Sequence, residues 1–166
     1  MSLKPTITDL EQLKEHPAVA CLQENSPGAI EAARFAHDEL SLYIVRSSIR
    51  KACALLRDHP PCPFNFLSDV TCVDWYPAEP RFEVIYHLLS IRQKERVRLK
   101  VRLGDDAPAL DSVTPIWPAA NFFEREVFDL FGIRFLGHPY LRRIQMPDDW
   151  EGHPLRKDYP VTGSRV

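Results

Sequence analysis

The stretch ERVRLKVRL, residues 95–103, alternates basic and apolar side chains from Arg96 to Leu103. Successive side chains of a β-strand point to opposite faces of the sheet. The pattern therefore predicts a strand that buries its apolar side chains and presents a row of cations on the other face. The buried set is Val97, Leu99, Val101 and Leu103, and the cationic row, which begins just upstream, is Arg92, Lys94, Arg96, Arg98, Lys100 and Arg102.

Two interpretations of this cationic row remain open. It is either a solvated sheet face that also deters edge-to-edge pairing, or a docking surface for an acidic protein. A nucleic-acid surface is disfavoured because no aromatic side chains alternate with the cations to stack on bases.

The neighbouring segments extend the same sheet. FNFLSDVTCVDWY (64–76) and FEVIYHLLSI (82–91) predict two more strands, and the short turns between the three favour antiparallel pairing. Upstream, AIEAARFAHDELSLYIV (29–45) is ambiguous, because the alanine content of its first half also allows a helix. We favour a hairpin with its turn near His37 and Asp38, since the apolar residues on both sides share a strand period.

Three helices complete the prediction. Residues 47–61 form one, capped by Ser47 or Ser48 and ended by Pro60 and Pro61, with Ile49, Cys53, Leu55 and Leu56 facing inward. A short helix is expected from Thr8 to Glu15, stopped by Pro17, and a longer one at 118–132. The order α-β-β-α-β-β-β-α predicts an α+β two-layer fold, with a single mixed five-stranded sheet and helices on one face. We expect a core domain at 1–136 and a docking tail, not an independent domain, at 137–166.

Composition excludes several classes of function. The chain of 166 residues has a formal net charge of −2, which gives no general attraction to nucleic acid or anionic lipid. Its opening residues lack the apolar core of a signal peptide, and no apolar run reaches the ~18 residues of a membrane span. The cysteines are not grouped as metal or cluster ligands, and the six glycines form no phosphate-binding motif, so we expect no metal and no cofactor in this chain.

Glu124 stands out in the predicted helix 118–132, because it lies at the margin of the apolar stripe formed by Phe123, Val127, Leu130 and Phe131. Three roles remain open for this carboxylate. It forms a capping box with Asn121, it pairs with Arg142 or Arg143 downstream, or it is a general acid with a raised pKa. Arg125 and Asp129 are expected to pair on the outer face, and Gly132 to end the helix.

The segment GHPYLRRIQMPDDWEGHPLRKDYP (137–160) is broken by four prolines, so no long helix forms there. We expect Leu141 and Leu155 to seat it, while Arg142, Arg143, Arg156 and Lys157 present charge. Four nearby acids almost cancel that charge, which disfavours a phosphate site: Asp148, Asp149, Glu151 and Asp158. His138 and His153 lie too far apart in sequence to indicate a metal site.

The stretch from 124 to 160 closely resembles the C-terminal signature of the 30-kDa subunit family of respiratory complex I, and the segments FLSDVTCVDW and FEVIYHLLSI also resemble that family. This chain has Phe122 and Phe123 where the family often has Trp and Tyr, and Gln145 where it has an aliphatic residue. Leu141 matches the motif. The other positions match the motif or are expected to contact partners, and they are Glu124, Arg125, Glu126, Asp129, Gly132, Gly137, His138, Pro139, Arg142, Arg143, Trp150, Gly152, His153, Pro154, Leu155, Arg156, Lys157, Asp158, Tyr159 and Pro160.

The resemblance implies a cofactor-free subunit in the peripheral arm of a proton-translocating NADH:quinone oxidoreductase. It would lie on the cytoplasmic side of the bacterial inner membrane, beside the subunits that shape the quinone site and carry the terminal iron–sulfur cluster. FMN and the clusters would belong to partner subunits, and the isolated chain would be inactive. The alternatives are a homologous subunit of a hydrogenase-like or plastoquinone-linked complex, and a stand-alone enzyme using Glu124, Glu126, Asp129 and the two histidines.

Overall fold

The computed structural model describes residues 6–162. Its regular elements, in chain order, are α1 (Pro17–Asn25), β1 (Ile30–Ala36), β2 (Glu39–Ile44), α2 (Ile49–Asp58), β3 (Phe66–Asp74), β4 (Phe82–Ser90), β5 (Glu95–Leu103), β6 (Ala109–Asp111), α3 (Ala120–Phe131) and β7 (Arg134–Leu136). Short 3-10 turns lie at Glu11–Leu13 and Arg46–Ser48.

The main sheet has the strand order β1-β2-β5-β4-β3. Strands β1 and β2 are antiparallel, whereas β2 and β5 are parallel, so the sheet is mixed. The predicted α+β class and five-stranded mixed sheet are confirmed. The apolar residues of β5 are at most 3% exposed, which confirms the alternation that predicted this strand.

The hairpin turn lies where the sequence predicts it. His37 and Asp38 separate β1 from β2 and have φ values of 54° and 60°. Two consecutive positive φ angles are those of a type I′ turn, whose twist matches that of the flanking strands. Asp tolerates this left-handed conformation better than most residues.

The observed first helix differs from the one predicted near the N-terminus. Residues Thr8 to Glu15 contain only a 3-10 turn, and Pro17 starts α1 instead of stopping a helix. Proline fits the first helical position because that position needs no amide hydrogen. The His16 ring supplies the cap, since its Nδ1 accepts from the Ala18 N–H at 3.2 Å.

Helix α2 lies within the predicted range, with Ile49, Cys53 and Leu56 buried and Leu55 half-buried. Ser48 occupies the N-cap position but makes no side-chain capping bond. The parallel pair β6–β7 was not predicted. Each of its strands has three residues, which is too short for alternation to be recognised.

Two compact units can be distinguished. One comprises the described residues up to Asp69 together with Tyr86–Val101, and contains β1, β2, α1 and α2. The other comprises Val70–Ile85 together with the described residues from Arg102 onward, and contains β6, α3 and β7. Strands β3, β4 and β5 contribute residues to both. The described part of the predicted tail, 137–162, forms no helix or strand and belongs to the second unit.

Candidate functional site

Helix α3 ends where the chain turns back over it. Its C-cap, Gly132, has a φ of 77°, the left-handed conformation that ends many helices. A Cβ atom at this position would lie 2.6 Å from the His153 ring and 2.8 Å from Nη2 of Arg156. Gly132 therefore ends the helix, as predicted, and also leaves the space into which two side chains of the tail fit.

Asp129 fixes the first part of the tail to α3. Its carboxylate is fully buried, and Oδ2 accepts from the N–H groups of Ile144, Gln145 and Met146 at 2.9, 2.7 and 2.9 Å. Its Oδ1 accepts from Nη1 of Arg143 at 2.6 Å. Burial alone would raise the pKa of Asp129, but these hydrogen bonds outweigh it and hold the pKa below its usual value. We call this arrangement the Asp129 anchor.

Arg143 carries the anchor further along the tail. Its Nη2 donates to the carbonyl oxygens of Trp150 and Gly152, both at 2.9 Å. Its Nη1 also donates to the carbonyl oxygen of Asp129 at 3.1 Å. One guanidinium thus joins the helix to two later points of an irregular segment, which has no backbone ladder to hold it.

The predicted Arg125–Asp129 pair does not form. Arg125 donates from Nε to the Arg142 carbonyl at 3.1 Å and from Nη2 to the Arg143 carbonyl at 2.9 Å. The prediction was wrong because it treated this side of α3 as solvent-facing. The tail covers that side, so both side chains bind the tail instead of each other.

A second anchor, centred on Arg81, holds the far end of the tail. Arg81 is 2% exposed and forks onto Asp74, with Nε–Oδ1 at 3.0 Å and Nη2–Oδ2 at 2.9 Å. The same guanidinium reaches Asp105 at 3.0 Å and Asp158 at 2.6 Å. Lys157 N–H donates to Oδ2 of Asp74 at 2.8 Å. We call this the Arg81 anchor.

The charges of the Arg81 anchor are strongly coupled. Although burial opposes ionisation, hydrogen bonds from Arg81 and from the Lys157 and Tyr76 amides lower the pKa of Asp74 to about 2. The rings of Tyr76 and Phe82 each lie 4.9 Å from the guanidinium carbon, which favours the cation further. Sequence reasoning missed this site. The signal was Asp74, which follows Val70 and Cys72 in the buried phase of β3.

Backbone and ring contacts hold the tail between the two anchors. Leu155 N–H donates to the Leu130 carbonyl at 3.0 Å, and Nε of Arg156 donates to the Phe131 carbonyl at 2.7 Å. The Arg156 guanidinium lies 5.0 Å from the Phe82 ring centre. The Leu155 side chain remains 49% exposed, so the expectation that this side chain seats the tail was wrong and its amide does so instead.

The two tail histidines act as hydrogen-bond donors within this unit. His138 Nε2 donates to the Asn121 carbonyl at 3.2 Å, and His153 Nδ1 donates to the Asp129 carbonyl at 2.8 Å. Burial lowers the pKa of both imidazoles. Within residues 6–162, no three side chains of the types that bind metal converge on one point.

Glu124 binds neither a tail arginine nor the start of its own helix. Its carboxyl group is fully buried and accepts from Ser112 Oγ at 2.6 Å and from the Val113 N–H at 2.7 Å. Both predicted pairings, with Asn121 and with Arg142 or Arg143, are therefore wrong. The error lay in placing Glu124 at the margin of the stripe, since the buried residues Ala120, Glu124, Val127 and Phe131 follow one face of α3.

Burial raises the pKa of Glu124 to about 7, despite the two hydrogen bonds that favour its charged form. The unfolded chain ionises this group near its ordinary value of 4.5. Between these two values the folded state holds a proton that the unfolded state has lost. The stabilisation that comes from this retained proton is therefore fully present below pH 4.5. It is lost as pH rises through about 7, which lowers the free energy of unfolding by about 3 kcal/mol.

We expect Glu124→Gln to remove this loss. Glutamine keeps an acceptor for the Val113 amide and cannot ionise, so the variant should exceed wild type in stability at pH 8 but not at pH 4.5. The measurement is denaturant unfolding across this range. Four histidines have lowered pKa values, namely His16, His87, His138 and His153, and their effect has the opposite sign. Only the difference between the wild-type and Glu124→Gln curves of unfolding free energy against pH reports on Glu124. Parallel curves would contradict the raised pKa assigned to this group.

Apolar side chains remain exposed around the anchored tail. Phe122, Leu136, Tyr140 and Leu155 are all about half exposed or more. A groove of about 330 Å³ beside them is lined by Thr114, Pro115, Pro118, Asn121, Gly137 and Pro139. A second groove of about 570 Å³ lies along the end of the tail, between Trp150 and Thr162. Clusters of this kind commonly mark protein–protein contact sites.

Most of the predicted motif residues fall into two groups. One group holds the tail on its own unit: Glu124 supports the segment 112–113, and the tail contacts come from Arg125, Asp129, Gly132, His138, Arg143, Gly152, His153, Arg156 and Asp158. A Cβ atom added at Gly152 would lie 2.7 Å from the Tyr159 ring, so this position requires glycine. The other group has exposed side chains: Glu126, Pro139, Arg142, Lys157 and Pro160. Contact of either group with a partner stays a prediction.

The sequence profile of the family described as "Respiratory-chain NADH dehydrogenase, 30 Kd subunit" matches residues 42–165. A relative from Roseiflexus sp. (strain RS-1), named as a subunit of NADH-quinone oxidoreductase, is 48% identical over 140 residues, which are 84% of this chain and 80% of the relative. A relative of the same name from Caulobacter sp. (strain K31) is 48% identical over 159 residues, which are 96% of this chain and 72% of the relative.

Two solved structures share the fold. A chain from the membrane-bound sulfane sulfur reductase, an archaeal respiratory membrane complex, superposes with a TM-score of 0.74 at 27% identity, covering 89% of this chain and 86% of that one. The trypsin-resistant fragment (1-134) of Nqo5 gives a TM-score of 0.54 at 34% identity, covering 62% and 83%. Among the helices in residues 6–162, none has the length and apolar character to cross a membrane.

Proposed function

Because this chain belongs to the 30-kDa subunit family of the respiratory-chain NADH dehydrogenase, we propose that it is a cofactor-free docking subunit of the peripheral arm. Its relatives are named as parts of an oxidoreductase, NADH-quinone oxidoreductase. In this proposal the partners that carry the quinone site and the terminal iron–sulfur cluster bind beside it, on the cytoplasmic side of the membrane. The partners hold FMN and the clusters, and this chain contributes a surface.

The anchored tail is the observation that carries the proposal. The tail lacks helix and strand, yet two buried carboxylates, Asp129 and Asp74, fix its backbone at both ends. An irregular segment held in one conformation loses little further entropy when a partner binds it. The exposed Phe122, Tyr140 and Leu155 beside it supply the apolar area that an interface core needs.

The chemistry of the buried groups gives less support to a stand-alone enzyme. Glu124 has a pKa suited to proton transfer, but its carboxyl is fully buried and both its oxygens are occupied by Ser112 and Val113. Asp129 is equally buried and holds four donors. We expect the purified chain to show no NADH or quinone turnover, and reproducible turnover would favour the enzyme.

A second candidate is a homologous subunit of a different respiratory membrane complex. The observation that favours it is the fold shared with the sulfane sulfur reductase chain. The identity of 45–50% to subunits of NADH-quinone oxidoreductase, against 27% to that chain, supports the first candidate. The identity of the co-purifying chains separates the two.

The test is affinity purification of the tagged chain from native membranes. We expect subunits of NADH-quinone oxidoreductase to co-purify, and Phe122→Asp/Tyr140→Asp to lower their yield at least about tenfold, because truncating one central aromatic of an interface often costs ~2 kcal/mol or more. Ile91→Asp is the matched control, since Ile91 is 59% exposed but lies in the turn between β4 and β5. Equal losses in both variants would contradict docking through the tail side.

The cofactor-free proposal has its own measurement. Chain purified under anaerobic conditions should contain no stoichiometric iron and show no flavin absorbance. All four cysteines are buried thiols, and burial raises the pKa of Cys72 to about 12, so its thiolate is disfavoured as a ligand. One iron or one flavin per chain would refute this part of the proposal.

A further inference from the structure

The outer face of the sheet in the first unit carries a set of cations drawn from three strands. In the observed register Arg34 of β1 lies opposite Ser41 of β2, which lies opposite Arg98 of β5. Tyr43 and Lys100 form the next row. The alternate residues of these strands, such as Leu42 and Leu99, are fully buried on the other side. We call this surface, with Arg96 at its edge, the cationic face.

The charge of the cationic face differs from that of the whole chain. Arg34, Arg96, Arg98 and Lys100 line its two cavities together with only two acids, Glu39 and Asp69. The face therefore has an excess of positive charge, while the chain has a net charge of −2. Glu39 is already engaged, because it forms an ion pair with Arg98.

The two cavities flank the Glu39–Arg98 pair. Each has a volume of about 220 Å³, room for roughly seven waters at ~30 Å³ each. One is lined by Ser68, Asp69, His87 and Arg96, and the other by Arg34, Ser41, Tyr43 and Lys100. Each is large enough for the end of a carboxylate side chain together with the waters that would solvate it.

One donor on this face lacks an acceptor. The Nε atom of Arg98 is buried and has no hydrogen-bond partner among the described residues. Buried donors without partners are rare in native proteins. The Arg98 guanidinium is therefore only partly satisfied within the chain, by Glu39 at Nη2 but by no acceptor at Nε.

We propose that the cationic face binds an acidic segment of a neighbouring subunit, whose carboxylates enter the two cavities. This inference rests on the proposed function, and it adds a second contact surface to the tail side. An acidic protein fits better than a nucleic acid because Tyr43, the one Phe, Tyr or Trp residue lining the cavities, has the Lys100 ammonium 5.4 Å from its ring centre. It fits better than phosphate because the cations line two cavities on either side of the Glu39–Arg98 pair, which suits a chain with several carboxylates better than one compact dianion.

The direct test uses the full chain and a fluorescein-labelled decaglutamate peptide, followed by fluorescence anisotropy at low and high salt. The variant is Arg34→Gln/Arg96→Gln/Lys100→Gln, which leaves the Glu39–Arg98 pair intact. The matched control is Arg46→Gln/Arg50→Gln/Lys51→Gln, which removes the same charge from exposed residues at the start of α2. We expect salt-sensitive binding by the wild type, at least about tenfold weaker binding by the face variant, and a change below about threefold in the control.

Three results would overturn the inference: no binding by the wild type, equal weakening in both variants, or full displacement of the peptide by an equal concentration of inorganic phosphate. The membrane complex supplies the second arm. The face variant should co-purify with partner subunits in lower yield than wild type at low salt, and this difference should shrink at high salt because salt screens the same charges. Wild-type yield at both salt concentrations would overturn the inference while leaving the proposed function intact. Failure of the wild-type chain to co-purify would instead refute the proposed function.

Discussion

Arg81→Met should lower the free energy of unfolding by about 3–5 kcal/mol, because it removes the cation from a buried pair and leaves Asp74 ionised and fully buried. Methionine keeps most of the side-chain volume, so the loss reports charge more than packing. Denaturant unfolding at pH 7 measures it. The matched control is Arg57→Met, whose partner Asp58 is 63% exposed, so this variant should lose much less stability than Arg81→Met.

The pH dependence of this variant provides a further check. The pKa of Asp74 falls from 3.8 to about 2 in the folded protein, so its contribution is present above pH 4 and is lost as pH falls through 2. The difference between wild type and Arg81→Met should therefore shrink on acidification. Asp74→Asn in the Arg81→Met background should restore part of the stability, since removing both partners leaves no buried charge. A double variant no more stable than the single one would contradict this account.

Asp129→Asn should release the first half of the tail. The substitution preserves shape but replaces one acceptor oxygen by an NH₂ group, which faces either Arg143 or the amides of Ile144, Gln145 and Met146. Leaving buried donors without an acceptor costs about 1–3 kcal/mol each, so we expect a total loss of about 3 kcal/mol or more. Hydrogen exchange at residues 144–146 should accelerate at least about a hundredfold, which corresponds to ~2.8 kcal/mol of local opening.

Two controls separate the anchor from general effects of charge. Glu126→Gln lies on the same helix with its side chain exposed, so it should change stability by less than about 0.5 kcal/mol. Arg142→Ala removes a guanidinium that stacks 4.2 Å from the Tyr140 ring, whereas Arg143→Ala removes the one that binds Asp129. Similar exchange rates in these two arginine variants would argue against the Asp129 anchor.

The sequence predicts the elements whose pattern lies within one segment. The alternation in β5 and the apolar face of α2 identified both elements because each buries one side against the core. Pro17 was misassigned because proline suits the end of one helix and the start of the next equally well. Neither β6 nor β7 has enough residues to show a period.

The anchors depend on information that a single segment does not contain. Asp129 was assigned to a solvated face because helical periodicity identifies the core side of α3 but not the side that residues 142–152 cover. Sequence reasoning expected a buried carboxylate to hold an arginine of the tail, and one does, but the carboxylate is Asp129 and not Glu124. The partners of Arg81 lie 7, 24 and 77 residues away, a combination that no local pattern specifies.

The Arg81 anchor also sets an order of events during synthesis. Asp74 and the amide of Lys157, which binds it, are 83 residues apart, and at ribosomal rates of ~5–20 residues per second that interval lasts about 4–17 s. For most of this time Arg81 and Asp74 can find each other, but the carboxylate of Asp158 and the amide of Lys157 do not yet exist. The nascent chain therefore passes through a stage of several seconds in which β3 and β4 can form while Arg81 and Asp74 still lack their partners in the tail.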